Sequence, residues 1–406
     1  MSALLPVYDR DLVIVSGKGS RVTDAEGRTY LDFAAGIGVN GLGYGDRKVV
    51  AAIRKQAGRL VHASNLYYSE PVLRLADRLS ALAFPSKVFF SNSGTEAVEA
   101  AMKFARRIGG PAGRTEFVAF ERAFHGRTMG ALSMTWSEKY RAPFEPLIPG
   151  VRFCAWDDLA AAASAIGPRT AAVFVEPVQG EGGVRVAPRQ FLQGLADLCR
   201  ERGALLVSEE VQCGLGRTGR LFAYQHAGIR PDIVTLAKPL GGGLPLGAVL
   251  LKEELAGAIA VGDHGSTFGG NPVAAAASLV VLDRLTAPEF LPKVNAKATL
   301  LRRGLNLIAR TYPAVKQVRS LGLMVGIELE AAALPVVKAL REKGILVTRA
   351  GDNVVRLLPP LVVRRKEIRR FLRALDEVLA TGCGAAPAPP PPPAAVVEGG
   401  SGGAAA

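Results

Sequence analysis

A lysine that follows an apolar segment is the first residue in this sequence that could do chemistry. In the run TLAKPLGGGLPLGA (235–248), Lys238 follows apolar residues and precedes three consecutive glycines. Because burial disfavours the ammonium form, the pKa of such a lysine falls, and its neutral amine is suited to forming a Schiff base. The glycines allow the backbone to approach a ligand closely. A lysine that reaches solvent from a strand edge stays open as the alternative at this point.

The segment SNSGTEA (91–97) has the composition of a phosphate-binding turn. Ser93, Gly94 and Thr95 stand between an apolar run and an amphipathic segment, so this turn leads into the start of a helix. The free N–H groups and the dipole of a helix favour an anion at that position. An ordinary capping box that includes Glu96 is an equally good interpretation of this segment alone.

Two further apolar runs end in charged or aromatic residues. Glu209 and Glu210 end one of them, and side chains alternate along a strand, so only one of the pair faces a given site. A carboxylate at the carboxyl end of a parallel strand is placed to meet a cationic ring nitrogen. Phe124 and Arg127 follow the run EFVAF (116–120), and they are suited to stacking on a flat cofactor and to binding a carboxylate.

The composition argues against several classes of function. The 406 residues carry a net charge of +14, but the basic residues are dispersed and show no nucleic-acid-binding stripe. The excess charge instead favours anionic substrates and a phosphorylated cofactor. We expect neither a membrane span, which requires roughly 18 apolar residues, nor a secretory signal. The four histidines and four cysteines form no metal-ligand pattern, so we expect no metal and a reduced, cytoplasmic location.

Short apolar runs alternate with helical patterns through the middle of the chain. This alternation predicts an α/β fold with a mostly parallel sheet that is covered on both faces. Helices are predicted at 94–107 and 192–203, with strands at 87–92, 116–120, 170–177, 204–210, 232–238 and 247–251. The flanking regions differ, since a hairpin is predicted at 21–33 and a strand–turn–strand unit at 315–329.

These patterns predict four regions in the chain. Residues 60–275 form the large α/β domain, and residues 276–383 form a smaller α+β domain that the N-terminal segment 1–59 joins. The remainder, 384–406, consists mainly of proline, glycine and alanine. Such a composition cannot bury a core, so we expect this tail to be disordered.

In this order and spacing, the segments resemble the class III aminotransferases of the aspartate aminotransferase superfamily, fold type I. The resemblance covers residues 12–381. The segments that carry it are ASNLYYSEP (63–71), SNSGTEAVEAAMKFAR (91–106), FHGRTMGALS (124–133), FVEPVQGEGGV (174–184), VQCGLGRTG (211–219), LAKPLGGGLPLGA (236–248) and GSTFGGNP (265–272). It implies a pyridoxal 5′-phosphate enzyme that acts as a homodimer, with the active site at the subunit interface.

The resemblance also implies a role for individual residues. Lys238 holds the cofactor as a Schiff base and moves the substrate proton. The implied cofactor contacts are Ser93, Gly94 and Thr95 at the phosphate, Thr267 at the phosphate of the neighbouring subunit, Phe124 and Glu209 at the ring, and Gln212 at its 3′-oxygen. The implied substrate contacts are Arg127, Arg356 and Tyr68, together with Glu181, which pairs with Arg356 while the amino donor is bound.

Four positions depart from the family pattern. Glu209 replaces the usual aspartate and is longer by one methylene, and a 1 Å displacement in a preorganised site costs about 100-fold in rate. Pro239 follows the lysine where glycine is usual, which predicts extended backbone angles for Lys238. Val98 stands where asparagine is usual, without a functional explanation. Ile37 stands where ornithine aminotransferases have a tyrosine, which favours an acylated amino donor.

The favoured reaction moves the δ-amino group of an acylated ornithine, N2-acetylornithine, to 2-oxoglutarate. Several alternatives stay open. The donor could be ornithine, succinylornithine, a carrier-bound lysine or 4-aminobutyrate. The chain could also be a pyridoxal-phosphate enzyme that does not transfer amines, or a weakened binding protein in which Glu209 reflects lost activity.

Overall fold

A computed structural model describes residues 3–385 of the chain. The tail that the sequence predicts to be disordered lies outside the described residues from position 386 onward. None of the helices in the described part is both long and apolar enough to cross a membrane.

The strands follow the predicted apolar runs closely. In chain order they are β1 (Ile14–Lys18), β2 (Arg21–Asp24), β3 (Thr29–Asp32), β4 (Ser86–Ser91), β5 (Glu116–Phe120), β6 (Val151–Cys154), β7 (Thr170–Val175), β8 (Val178–Gln179), β9 (Arg185–Val186), β10 (Leu205–Glu209), β11 (Ile233–Leu236), β12 (Gly247–Lys252), β13 (Val315–Leu321), β14 (Met324–Leu329), β15 (Ile345–Leu346), β16 (Thr348–Ala350) and β17 (Val354–Leu357).

The helices lie between these strands. They are α1 (Ala35–Gly38), α2 (Arg47–Ala57), α3 (Glu70–Ala83), α4 (Gly94–Gly109), α5 (Met129–Ser133), α6 (Glu138–Arg141), α7 (Leu159–Ala165), α8 (Arg189–Arg202), α9 (Glu253–Ala256), α10 (Pro272–Leu285), α11 (Phe290–Thr311), α12 (Leu334–Glu342) and α13 (Arg365–Ala380). Gly36 and Ile37 have left-handed angles, so α1 is a distorted turn. Helix α8 ends at Gly203, whose φ of 66° suits a left-handed C-terminal cap.

A seven-stranded sheet in the order β4-β12-β11-β10-β7-β5-β6 forms the centre of the fold. Strand β12 runs antiparallel to both of its neighbours, whereas the other neighbouring pairs are parallel. Two apolar clusters cover the faces: α4 packs against Phe117, Phe174 and Val207, and α8 packs against Phe120 and Val175. The predicted α/β architecture is confirmed.

The remaining strands form smaller sheets, of which the pair β8-β9 lies in the middle of the chain and the others use strands from its two ends. One sheet has the order β1-β2-β3-β15, and another has the order β13-β14-β17-β16. The parallel pair of β3 with β15 joins the N-terminal segment to the C-terminal region. This pairing supports the proposed division of the chain, in which residues 1–59 belong with the smaller C-terminal domain.

The backbone at Lys238 differs from the sequence prediction. Strand β11 ends at Leu236, and Lys238 begins a 3-10 turn, Lys238–Gly241, with a φ of 31°. The prediction of extended angles was therefore wrong. The Leu240 N–H donates to the Ala237 carbonyl at 2.8 Å and closes the turn, and Pro239 is its second residue. A non-glycine residue with positive φ is strained, and such strain persists where the surrounding structure holds it, as at active sites.

Candidate active site

A cavity of about 440 Å³ opens where β4, β10 and β11 end. The first turn of α4, the loops after β5 and β7 and the loop before β12 complete its wall. Nine of the residues proposed from the sequence line it, namely Ser93, Gly94, Thr95, Phe124, Arg127, Glu181, Glu209, Gln212 and Lys238. The parallel strands thus bring these distant segments to one edge of the sheet, as the sequence analysis expected.

The start of α4 forms one corner of this cavity. Ser93 is the N-cap, and its hydroxyl accepts a hydrogen bond from the Glu96 N–H at 3.3 Å. The hydroxyl of Thr95 accepts hydrogen bonds from the N–H groups of Arg127 and Thr128, both at 3.2 Å. A β-carbon at Gly94 would lie 2.6 Å from Val211, so only glycine lets the helix begin this close to the opposite wall. The free amides of the first helical turn therefore face a compact space suited to an anion.

Lys238 contributes the amine of the site. Burial lowers the pKa of Lys238, and the carboxylates of Glu209 and Glu181 oppose that shift. The neutral amine is therefore more favoured at Lys238 than at an exposed lysine. The neutral amine is the form that attacks a carbonyl carbon.

Glu209 places a buried carboxylate in the cavity. Its side chain is buried, and Oε1 accepts a hydrogen bond from the Val211 N–H at 2.8 Å. Glu210 faces the other way, where its carboxylate accepts hydrogen bonds from the N–H groups of Ala223 and Tyr224 at 2.6 and 2.7 Å. Burial raises the pKa of Glu210 to about 7. The two acids thus have separate roles, as strand alternation predicted.

His125 and Glu176 complete a buried group around Glu209, and the sequence analysis did not single out either residue. The His125 Nδ1 lies 3.4 Å from Glu209 Oε2, and neither ring nitrogen has a hydrogen-bond partner within residues 3–385. Glu176 Oε1 accepts a hydrogen bond from the Phe124 N–H at 3.0 Å. Burial, and then the charge of Glu209, raises the pKa of Glu176. The signal was present in the motifs FHGRT and VEPVQG, but no local pattern links one to the other.

This group attracts positive charge. The ligand atoms of His125, Glu176 and Glu209 lie within 4.8 Å of one another, a composition that also suits a metal ion. A protonated ring nitrogen also provides positive charge, and it requires only one carboxylate oxygen. It also agrees with the neighbouring corner for a phosphate and with the amine of Lys238, neither of which a metal site would use.

Arg127 lies at the mouth of the cavity, held by two aromatic rings. Its guanidinium carbon lies 3.6 Å from the ring centre of Tyr140 and 5.6 Å from that of Phe124. The side chain is exposed, so the stacked guanidinium keeps N–H groups available to a substrate carboxylate.

Arg356 lies behind Glu181 rather than in the cavity wall. It is 2% exposed and forms an ion pair with Glu181. Its Nε donates to the Thr348 hydroxyl at 3.1 Å, and Nη1 donates to Gln212 Oε1 at 3.3 Å. Displacement of the Glu181 carboxylate would therefore expose a buried arginine to the cavity.

Tyr68 and Thr267 lie apart from these residues. They line a different cavity of about 310 Å³, and Tyr68 is 88% exposed. Within one chain the structure therefore does not bring them to Lys238. Ile37 is 43% exposed, and Val39 is the residue of that loop that lines the Lys238 cavity.

The donor set fits pyridoxal phosphate at its phosphate, its ring, its ring nitrogen and its aldehyde carbon. The helix amides suit the phosphate, Phe124 suits the ring, Glu209 suits the ring nitrogen and Lys238 suits the aldehyde carbon. The fold and this site together define a pyridoxal-phosphate enzyme of fold type I. Residues 6–379 match the family model described as aminotransferase class-III, and the chain belongs to that family. It is thus a pyridoxal-phosphate-dependent aminotransferase.

Named relatives agree over almost the full chain. The chain is 47% identical to the acetylornithine aminotransferase of Methanocaldococcus jannaschii, over 92% of this chain and 95% of that protein. It is 49% identical to the mitochondrial acetylornithine aminotransferase of Alnus glutinosa, over 93% and 85% of the respective chains.

Solved structures agree as well. The crystal structure of ornithine aminotransferase from Toxoplasma gondii matches with a TM-score of 0.90 and 32% identity, over 94% of this chain and 93% of that one. The crystal structure of N-acetylornithine aminotransferase from Stenotrophomonas maltophilia matches with a TM-score of 0.81 and 36% identity, over 92% and 97%.

Proposed function

We propose that the chain transfers the δ-amino group of N2-acetylornithine to 2-oxoglutarate, giving N-acetylglutamate 5-semialdehyde and glutamate. This reaction belongs to arginine biosynthesis. The names of the relatives at 45–49% identity support the amino donor. We also propose a cytoplasmic location, which the four free cysteines support.

The observation that carries this proposal is the presence of two arginines that differ in how accessible they are to a substrate carboxylate. Arg127 is exposed at the cavity mouth, whereas Arg356 is buried and neutralised by Glu181. An acetylated amino donor has one carboxylate, which Arg127 is placed to bind. The 2-oxo acid has two carboxylates, and the second one can replace Glu181 at Arg356. One site thus accepts both substrates in turn.

The cofactor supplies an electron-withdrawing ring that stabilises negative charge on the carbon bearing the transferred amino group. The residues of the chain supply the rest. The amine of Lys238, whose pKa burial lowers, takes the proton from that carbon and returns a proton in the second half of the reaction. With the cofactor bound, Glu209 would keep positive charge at the ring nitrogen, and the amides at the start of α4 would hold the phosphate.

A donor screen tests the proposed substrate. We expect kcat/KM for N2-acetylornithine to exceed that for ornithine, succinylornithine and 4-aminobutyrate by at least about tenfold, since a pocket that fits an acyl group discriminates by that order. A coupled glutamate assay of the full chain with saturating 2-oxoglutarate measures it. Equal turnover of N2-acetylornithine and 4-aminobutyrate would reject this donor.

The screen also separates the other classes of activity. Omission of the oxo acid should stop the enzyme after one half-reaction. Continued turnover without an acceptor would indicate a reaction other than amine transfer, and the absence of any cofactor spectrum would indicate a binding protein.

We further propose that two copies of the chain form a homodimer, in which Tyr68 and Thr267 reach the site of the partner. A belt of exposed apolar side chains around their cavity supports this, because Leu66, Tyr67, Tyr68 and Phe268 are between 58% and 88% exposed. Patches of this kind commonly mark an interface between subunits. Asn65 holds the loop that carries Thr267 in place, since its Nδ2 donates to the carbonyls of Ser266 and Gly269.

Subunit mixing tests the shared site. A Lys238→Ala chain and a Thr267→Ala chain should each be impaired alone, and a hybrid should regain one site with both native residues. We expect the mixture to recover cofactor affinity and activity beyond the average of the two variants. Activity equal to that average would mean that each site is built from one chain.

A further inference from the structure

Another cavity, of about 480 Å³, adjoins the active site, and three arginines line it. Phe124 and Glu181 belong to the walls of both cavities, so the two spaces meet at these residues. The arginines are Arg122, from the loop after β5, Arg185, in β9, and Arg319, in β13. Neither the proposed reaction nor the cofactor uses any of them.

Arg319 is a partly buried cation with a buried, unused donor atom. Its side chain is only 10% exposed, and its Nε donates to the Gly183 carbonyl at 2.8 Å. Its Nη1 donates to Gln317 and Glu328, whereas Nη2 has no hydrogen-bond partner among the described residues. Nε of Arg185 is likewise buried and without a partner in the described part of the chain. A buried N–H group without an acceptor costs free energy, so both groups favour a ligand that accepts hydrogen bonds.

The charges around the cavity agree with an anionic ligand. The pKa of Arg185 is lowered, first by burial and then by the charges of Arg122 and Arg319. Of the acidic residues in the wall, Glu328 is bound to Arg319 and Glu181 is bound to Arg356. Asp352 is exposed. The mutual repulsion of the arginines is thus relieved only in part by neighbouring acids.

We propose that Arg122, Arg185 and Arg319 form an oxyanion-binding site beside the active site, which takes a carboxylate or a phosphate group. Guanidinium groups match both anions through paired hydrogen bonds. The anion has two possible sources, which are a free phosphate or carboxylate from solution and the carboxylate of Glu181 itself.

The backbone after Glu181 makes the internal source physically reasonable. A β-carbon at Gly182 would lie 2.8 Å from the Arg122 carbonyl oxygen, and one at Gly183 would lie 3.2 Å from Arg319 Nη2. The chain therefore passes between two of the arginines directly after Glu181. When a dicarboxylate takes Arg356, the displaced Glu181 carboxylate has a cationic site close by. This internal source rests on the proposed function, whereas the oxyanion site does not.

Phosphate binding to the cofactor-loaded dimer tests the site. With the cofactor phosphate in place, inorganic phosphate should bind near the arginines, as measured by calorimetry. We expect Arg122→Gln with Arg185→Gln to weaken that binding by at least about tenfold, because charge-assisted hydrogen bonds are lost. The matched control, Arg302→Gln with Arg303→Gln on the exposed face of α11, removes the same charge and should leave the affinity unchanged. Thermal unfolding verifies that both double variants are folded.

Loss of phosphate affinity in the pocket variant alone would support the site. Absence of binding to the native dimer, or equal affinities in the native and pocket-variant dimers, would overturn it. Because this measurement involves neither substrate, it stands even if N2-acetylornithine is not the amino donor.

Steady-state kinetics then identifies the source of the anion. If the ligand is the Glu181 carboxylate, the pocket variant raises KM for 2-oxoglutarate but not KM for the amino donor, and Glu181→Gln removes that effect. If the ligand is free, phosphate inhibits the native enzyme but not the pocket variant, and KM for 2-oxoglutarate does not change. Phosphate binding thus decides whether the oxyanion site exists, and the kinetic pattern decides only whether its anion is the Glu181 carboxylate or a free anion.

Discussion

Replacement of Lys238 by alanine is expected to lower kcat by on the order of 10⁴-fold, because the variant lacks the amine that moves the substrate proton. The same change should abolish the visible absorption of the lysine-bound cofactor. The phosphate corner at Ser93, Gly94 and Thr95 is intact in this variant, so the cofactor should still bind without a covalent bond. Single-turnover kinetics and the absorption spectrum of the purified protein measure the two effects.

The control for this prediction is the same substitution at an exposed lysine outside the cavity. Lys48 is exposed on α2, and Lys48→Ala should keep both the spectrum and the activity. A small added amine such as methylamine should restore part of the lost rate of Lys238→Ala, since it replaces the missing proton carrier. Unchanged covalent attachment of the cofactor in Lys238→Ala would show that another lysine holds it.

Nine of the residues proposed from the sequence line one cavity, because they follow strands of the central sheet. Each strand ends at the same edge of a mostly parallel sheet, so position along the chain translates directly into position in the cavity. Glu209 and Glu210 illustrate this. Strand alternation alone separates one acid facing the cavity from one that binds backbone amides.

Other features depend on contacts that no local pattern contains. The buried group of His125, Glu176 and Glu209 joins three strand ends, and each residue has an ordinary local role. The sequence rule for residues before proline failed at Lys238, since tertiary contacts hold a positive φ that local preference disfavours.

The cavity lined by the three arginines is a stronger example of what local sequence patterns cannot predict. Arg122, Arg185 and Arg319 come from three separate segments, and a dispersed basic composition conceals their proximity. Whether these arginines can bind an anion depends on which neighbouring acids are already paired, and only the folded chain shows that pairing.

Replacement of Glu209 by alanine is expected to lower kcat by about 10²–10³-fold, with a smaller loss of cofactor affinity. A buried charge opposite the reacting group contributes on that order. The variant leaves the ring nitrogen without its carboxylate, so the ring withdraws electrons less strongly. It also removes a charge that raises the pKa of Lys238, so the free amine of the cofactor-free chain should titrate at lower pH than in the native chain.

Two matched variants separate the charge of Glu209 from its length. Glu209→Asp keeps the charge and can keep the hydrogen bond from the Val211 N–H, because aspartate readily accepts from the amide two residues on. We expect its kcat to equal or exceed that of the native enzyme. Glu210→Gln, at the residue that follows β10 and faces away from the cavity, should reduce thermal stability while leaving kcat nearly unchanged.

The aspartate variant decides how this chain accommodates its unusual acid. His125 lies 3.4 Å from Glu209 Oε2 and Glu176 is packed beside it, so the surrounding group fits the longer side chain. If Glu209→Asp loses activity as severely as Glu209→Ala, the cavity has been rebuilt around glutamate, and His125→Ala should cause a similar loss. If Glu209→Asp is fully active, the exact position of the carboxylate matters less than its charge, and a side chain of either length brings it to the ring nitrogen.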